Sequence, residues 1–434
     1  MNSVAVERRM LGGERLALLV ILMVILAFNF VDRLALGLLM QEIKVDLRMT
    51  DTELGFLSGI AFTLFYAIMG VPIARWADRG NRVLIIAITT TLWSIMVSLC
   101  GRAASFSQLL LIRIGVGVGE AGCTPTANSL IADYFPRAQR PRAVAIYMLG
   151  GPLSMVIGYL IAGWLNELYG WRTTFVLLGL PGLVLAAVAL FALKEPRRSV
   201  RGRGTVVRAS DLAAGKAPNL GQVFATLWGN HTLCHLLLCY SVIYFFGYGI
   251  MQWEPTFFIR SYGIHTGPLG TWFAGIFGIG GMTGTYLGGE IAARYAANNE
   301  SLQMRIGAVA LASLGVFSCL IYVSPSLYVA FALLAVTAVG VTIINGPLFA
   351  TIQTLVEERM RATVIALVYL FANLIGMGLG PLAAGALSDE LRPWFGEESL
   401  RFALLILCPG YFWAAWHMWR ASRTVTRDLE AVPS

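Results

Sequence analysis

Four ionisable side chains stand inside otherwise apolar runs: Asp32 and Arg33 in one, Arg113 and Glu120 in another. A charge near the centre of a bilayer costs about 2.5–3.5 kcal/mol on insertion scales, so such groups are retained where they do chemistry. Arg113 and Glu120 are seven residues apart. That spacing puts them on one helix face, two turns apart and about 10 Å along the axis. Gly115, Gly117 and Gly119 lie between them and leave the intervening stretch without bulk. The separation favours partners from the other run over a direct Arg113–Glu120 bridge, and Asp32 is such a partner for Arg113. Arginines offer a phosphate or carboxylate a bidentate fork. Carboxylates whose partners change take up and release protons, because burial and a neighbouring cation pull ionisation in opposite directions. The expected roles are proton coupling for Asp32 and Glu120, and head-group binding for Arg33 and Arg113. The same four residues would equally build a static ion network that fixes the helices.

The runs that carry them are membrane spans. The chain has 434 residues, 57% hydrophobic and only 13% charged, where a soluble domain carries about 25% charged. Too few charged side chains remain to coat a soluble core. A spanning helix needs roughly 20 apolar residues. Twelve stretches qualify, near 15–41, 54–74, 83–101, 106–133, 143–166, 173–193, 230–257, 268–292, 304–323, 326–355, 362–387 and 400–420. Helices are expected because lipid cannot satisfy an open backbone, and the alternation of a barrel strand is missing. The expected fold is an all-α membrane protein with twelve transmembrane helices in two six-helix halves.

Lys and Arg set the orientation. With the N-terminus in the cytoplasm, 23 of the 32 fall on the cytoplasmic side and seven on the outer side. Arg33 and Arg113 are the two left within spans. Both termini are then cytoplasmic, and the net charge of +8 reflects topology rather than a nucleic-acid partner. The first apolar run is too long for a cleavable signal and continues as a span. The six cysteines are scattered through apolar segments, as small buried hydrophobes rather than a disulfide framework. His231 and His235 are four apart but have no glutamate between them, while His265 and His417 stand alone as boundary residues. No metal, cofactor or catalytic residue is expected. A phosphate-cradling glycine loop and a repeated filter segment are both missing from the sequence, which argues against an ATP-driven pump and a channel.

A basic segment, KEPRRSVRGRG, opens at Lys194 and divides six spans from six. The expected organisation is an N-terminal bundle at 1–193, a cytoplasmic linker at 194–221 ending in a short interfacial helix, and a C-terminal bundle at 222–434. The halves echo one another. RPRA (Arg140 to Ala143) and RMRA (Arg359 to Ala362) sit 219 residues apart, each before a span rich in glycine and proline. A repeated half around a central site is a transporter architecture. In the second half Tyr240, Tyr244 and Tyr248 recur every four residues on one face, joined by Trp253, Tyr369, Phe371, Asn373 and Met377. With Asn29 of the first half, they are expected to line a cavity; ordinary helix packing is the alternative reading of the tyrosines. Charge in one half and amphipathic aromatics in the other suit an amphipathic substrate better than a sugar. A small organic anion would use the same charges, and a non-transporting receptor or scaffold is the remote alternative. Asp133 lies within reach of Arg75, Arg79 or Arg142 as part of an inner gate, and Glu254-Pro255 is read as the end of the seventh span.

Two strings carry a family resemblance. The loop after the second span, ARWADRGNR from Ala74 to Arg82, resembles the G-x-x-x-D-R-x-G-R-R loop of the major facilitator superfamily; Asp78, Arg79 and Arg82 match, while Ala74 and Asn81 replace glycines. The resemblance implies that Asp78 docks at the N-terminus of the eleventh helix and, with Arg75, Arg79, Asp133 and Arg142, gates the cytoplasmic side. A carboxylate at a helix N-terminus gains about 0.3–1 kcal/mol. The fourth span and its exit, RIGVGVGEAGCTPTANSLIADYFP from Arg113 to Pro136, together with NFVDR from Asn29 to Arg33, resemble the Spinster-like branch of that superfamily. This implies a monomeric transporter of lysolipids or sphingoid phosphates, proton-coupled or proton-modulated, working by alternating access in a bacterial inner membrane.

Overall fold

The computed structural model describes residues 12–196, 220–295, 299–357 and 360–430. Nine helices among them are long and apolar enough to cross a membrane. Two of these hold two crossings each: one turns at Gly170, whose φ of 75° a side chain would resist, and the other turns at the short 3-10 segment Gly396–Glu398. The Thr266–Tyr295 helix, whose nine glycines dilute its hydropathy, completes the twelve.

The N-terminal bundle comprises α1 (Gly12–Leu47), α2 (Asp51–Ser58 continued by Ile60–Arg79), α3 (Arg82–Cys100), α4 (Phe106–Glu120 continued by Cys123–Tyr134), α5 (Arg140–Met148 continued over 150–169) and α6 (171–192). The C-terminal bundle comprises α7 (His231–Tyr262), α8 (Thr266–Tyr295), α9 (Glu300–Val323), α10 (Leu327–Ile343 continued by Asn345–Thr354), α11 and α12 (Ser399–Leu407 continued by Gly410–Glu430). Helix α11 runs from Arg361–Phe371 through a π-helical stretch, Ala372–Leu379, into Gly380–Phe395. A ten-residue helix, Leu220–Gly229, precedes α7; it buries Val223 and Leu227 and exposes Trp228. Most of the linker, 197–219, lies outside the described residues, as do Arg8, Arg9 and Arg359.

Large apolar side chains such as Phe191, Ile279, Val309 and Ile406 point outward from the bundles. In water such a surface would aggregate; in a bilayer it meets acyl chains. Two helices outrun their apolar cores. Helix α7 continues past Glu254-Pro255 to Tyr262, and α12 continues past Arg420 to Glu430, where Val425 and Asp428 are buried. Glu254 is therefore inside a helix and not at its end.

The repeat holds, in a different register from the one read above. Arg140 and Arg361, at the starts of α5 and α11, each turn Nε back onto the carbonyl five residues earlier, Phe135 at 3.1 Å and Val356 at 3.2 Å. These landmarks are 221 residues apart, not 219. Further along, Gly163 of α5 packs on the Thr266 carbonyl of α8, and Gly385 of α11 packs on the Asp51 carbonyl of α2. Four residues on, Glu167 accepts from the Gly267 amide of α8 at 3.3 Å, and Asp389 accepts from the Thr52 amide of α2 at 2.7 Å. These pairs are 222 apart. The extra residue falls within the part of α11 that contains the π turn, whose i→i+5 bonding absorbs one residue.

Both seams lie at the end of the molecule remote from the linker, the far end. They hold the bundles together there by close backbone approach: a Cβ on Gly385 or Gly163 would sit 2.2 or 2.5 Å from a carbonyl oxygen of the facing helix.

Candidate functional site

Helices α1 and α4 bring the four intramembrane charges together in two crossed pairs. Arg113 Nη1 donates to Asp32 Oδ2 at 2.7 Å. Arg33 donates from Nε to Glu120 Oε2 at 3.0 Å, and its Nη2 also pairs with that same oxygen. The Asp32–Arg113 pair is the one that the spacing suggested. The Arg33–Glu120 pair follows because adjacent positions on α1 point to different sides of the seven-residue stretch of α4. All four side chains are buried.

Glycine makes this geometry possible. A Cβ on Gly117 would lie 2.8 Å from the Phe62 carbonyl of α2, and one on Gly119 would lie 2.6 Å from the Trp93 amide of α3. Helix α4 therefore sits deep between α2 and α3 and presents its charges inward to α1. The arginines share an aromatic floor. The Phe62 ring lies 4.3 Å from the Arg33 guanidinium and 5.3 Å from that of Arg113, with Phe30 and Tyr66 also beside Arg33. Cation–π contacts of this kind are worth about 0.5–2 kcal/mol each, more when water is excluded.

Each carboxylate keeps one oxygen in reserve. Asp32 Oδ1 and Glu120 Oε1 are buried and have no hydrogen-bond partner among the described residues; the same holds for Arg113 Nε and Asn29 Nδ2. Asn29 precedes Arg33 by one helical turn, so an amide donor and a guanidinium lie on one face of α1. Buried polar atoms are matched in nearly all proteins, so these four call for a further partner such as water or a ligand group.

The second half contributes unevenly. Tyr248 lies within electrostatic reach of Arg33, Asp32, Glu120 and Arg113. Tyr240 and Tyr244 instead bond to each other at 3.0 Å and belong to an aromatic cluster, with Phe349 and Tyr369 stacked at 5.0 Å and both close to Tyr240. Tyr240 is fully packed, while Tyr369 is exposed, and Asn373 and Met377 are half-buried in the π turn of α11. The three tyrosines thus serve two neighbourhoods rather than one wall.

At the linker end Asp133 pairs with Arg82 at 2.7 Å, not the loop arginines considered for it above. Arg82 is entirely buried; its backbone amide and guanidinium also bind Glu195, just after α6, at 2.6 and 2.5 Å, and it reaches the Ser129 carbonyl at 2.9 Å. This residue clamps α3, α4 and α6 within one bundle. Arg75, Asp78, Arg79 and Arg142 are exposed at the same end. His417 is not isolated: it is buried with Nδ1 3.0 Å from that of His235 across α7 and α12.

A far-end cluster was missed from sequence. Asp51 binds Lys44 of α1 at 2.6 Å, both Nη atoms of Arg260 of α7 at 2.7 and 2.8 Å, and the Ser388 hydroxyl of α11 at 2.7 Å. Arg260 also donates to Gln41 of α1 at 2.6 Å. These charges stand at span ends, where composition assigns them to topology; only their burial separates Asp51 from a loop carboxylate.

Two α-helical bundles with charge buried between spans define a membrane transporter. The chain matches the Major Facilitator Superfamily over residues 22–421 and belongs to that family. An MFS-type efflux pump of Mycolicibacterium smegmatis is 32% identical over 403 residues, covering 92% of this chain and 91% of that protein. Protein spinster homolog 1 of Xenopus tropicalis is 28% identical, over 90% of this chain and 77% of its own length. The solved structure of a bacterial homologue of the human lysosomal transporter Spinster, inward-facing and unoccupied, superposes with a TM-score of 0.85 at 29% identity, over 96% of this chain and 98% of that one.

Proposed function

We propose that this transporter moves an amphipathic phosphate, a lysolipid or sphingoid phosphate, by proton-coupled alternating access in a bacterial inner membrane, with its termini and linker in the cytoplasm. The observation that carries this reading is the pair of crossed ion pairs in which each carboxylate keeps a free oxygen. A proton on Glu120 weakens its hold on Arg33 and frees that fork for an anionic head group. A proton on Asp32 does the same for Arg113. Proton and anion then load together, and the affinity for the anion rises as pH falls. The aromatic cluster of α7, α10 and α11 supplies an apolar wall for an acyl chain, and Tyr248 stands between wall and charges. At the linker end, Arg75, Asp78, Arg79, Asp133 and Arg142 form the gate that closes when the far end opens. The protein works as a monomer in this scheme, with no cofactor.

The test is flux in proteoliposomes under an imposed pH gradient, with a fluorescent lysophospholipid, a sphingoid phosphate and glucuronate as cargoes. Wild type is expected to move the lipids faster with the gradient than without it. Glu120→Gln and Asp32→Asn are expected to lose at least tenfold of that gradient-driven rate. Retention of full pH dependence in both variants would overturn the coupling role, and glucuronate movement without lipid movement would replace the substrate class.

A further inference from the structure

The C-terminal bundle holds an acidic group that the crossed pairs do not use. Glu254 lies on α7, eight residues before its end at Tyr262. Its side chain is buried, and Oε2 has no hydrogen-bond partner among the described residues. The titratable groups that face it are Tyr159 of α5, Tyr322 of α9, and Cys408 and Tyr411 of α12. Helix α8 meets Tyr159 with Phe273 and Phe277, and α11 meets the neighbouring Trp253 through the Pro381 carbonyl. No cation among the described residues is set against it. The Tyr322 hydroxyl is likewise buried without a partner. This carboxyl differs from Asp32, Asp51 and Glu120, each of which is held by an arginine.

Position adds the second half of the argument. Gln252, two residues earlier, fills the close approach of α7 to Gly37 of α1, and the carbonyl of Tyr159 abuts Gly270 of α8 in the far-end seam. Glu254 therefore lies directly behind the contacts that seal the far end. A carboxylate with neither cation nor donor in an apolar interior is strongly disfavoured relative to the neutral acid. Parting the bundles at the far end would carry Tyr159 away from α7 and admit water.

We infer that Glu254 is a second proton-binding site, in the C-terminal bundle, loaded while the far end is sealed and emptied when it opens. The release step rests on the alternating-access reading above; the loaded state does not. The carboxyl O–H bond breaks on release, the proton passes to water, and the carboxylate is hydrated. A different proton, drawn from the linker side, reloads the carboxylate once the seal has re-formed, so each cycle carries one proton across.

The test uses the full chain in lipid. Infrared difference spectra at pH 7 are expected to show a protonated-carboxyl C=O band in wild type that is missing from both Glu254→Gln and Glu254→Leu and retained in Glu120→Gln. The leucine variant fills the same space, so shared loss of the band in two folded variants reports the acid itself. A band of equal intensity in wild type and Glu254→Gln would overturn the assignment. In proteoliposomes, Glu254→Gln is expected to carry fewer protons per substrate than wild type while substrate flux continues; an unchanged ratio would overturn the release step. A band lost in Glu254→Gln with no gradient-driven flux in wild type would leave the site standing and remove the transport reading instead.

Discussion

Arg33 spends two of its donors on a single oxygen of Glu120, and that economy shapes the chemistry of the site. A bidentate pair would fill both carboxylate oxygens and raise the cost of exchange. A one-oxygen grip leaves the pair easier to replace by an incoming anion. Phe62 holds both arginines in place while this happens, because its ring serves both guanidiniums. Phe62→Leu keeps most of the volume and removes the π face. From about 0.5–1 kcal/mol for each of the two contacts, KM for an anionic substrate should rise about five- to thirtyfold, with Phe62→Tyr close to wild type. An unchanged KM in the leucine variant would show that the ring is only filler. The four charges were legible in the sequence because charge inside an apolar run is rare and expensive. Phe62 was not, since one phenylalanine among 23 carries no signal until a guanidinium is seen above it. Glu254 was visible but misplaced, because its neighbouring proline suggested a helix end that α7 ignores.

At the level of helices, the two far-end seams are copies of one device. A glycine of α5 or α11 lets the facing helix approach to backbone contact, and an acidic residue one turn later accepts from that helix's N-terminal amides. The carboxylate also meets the positive end of the helix dipole. The arrangement that the resemblance implies for Asp78 at the linker end is seen at the far end on Glu167 and Asp389. Gly385→Val and Gly163→Val should each disturb the seam, since overpacking costs about 1–3 kcal/mol. At about 2–4 °C of Tm per kcal/mol in mid-sized domains, each should lower the thermal midpoint by several degrees. Gly151→Ala, where an added Cβ meets nothing within 4 Å, should not. Equal midpoints for all three would show that the seams bear no load. The number of spans was readable from apolar runs alone, and the repeat from its basic openings. Its register was not, because the backbone contact that matches Arg140 is made by Arg361, the second arginine of RMRA.

For the molecule as a whole, Asp51 is a tie between bundles. It gathers α1, α7 and α11 around one carboxylate in α2, with Lys44 and Arg260 as its cations. Removing one partner of a buried pair commonly costs about 3–5 kcal/mol because the others are left unpaired. If alternating access is a two-state balance, a change of that size is enough to reverse it. Asp51→Asn should therefore lengthen and broaden distances between spin labels at the far ends of α2 and α11. A distribution matching wild type would assign Asp51 to folding within the bundle instead. None of this cluster was legible in the sequence, because each member stands where loop charges are ordinary.

The π turn in α11 has one more consequence. Arg361 and Gly385 keep the phases of Arg140 and Gly163 although one more residue lies between them. The additional residue is taken up near the π turn, where Gly376 presses against Tyr244 and where Asn373 and Met377 sit. The halves can thus remain matched as hinges while differing as containers. One bundle could acquire a new lining by a single inserted residue, with its hinge surfaces left where duplication had put them.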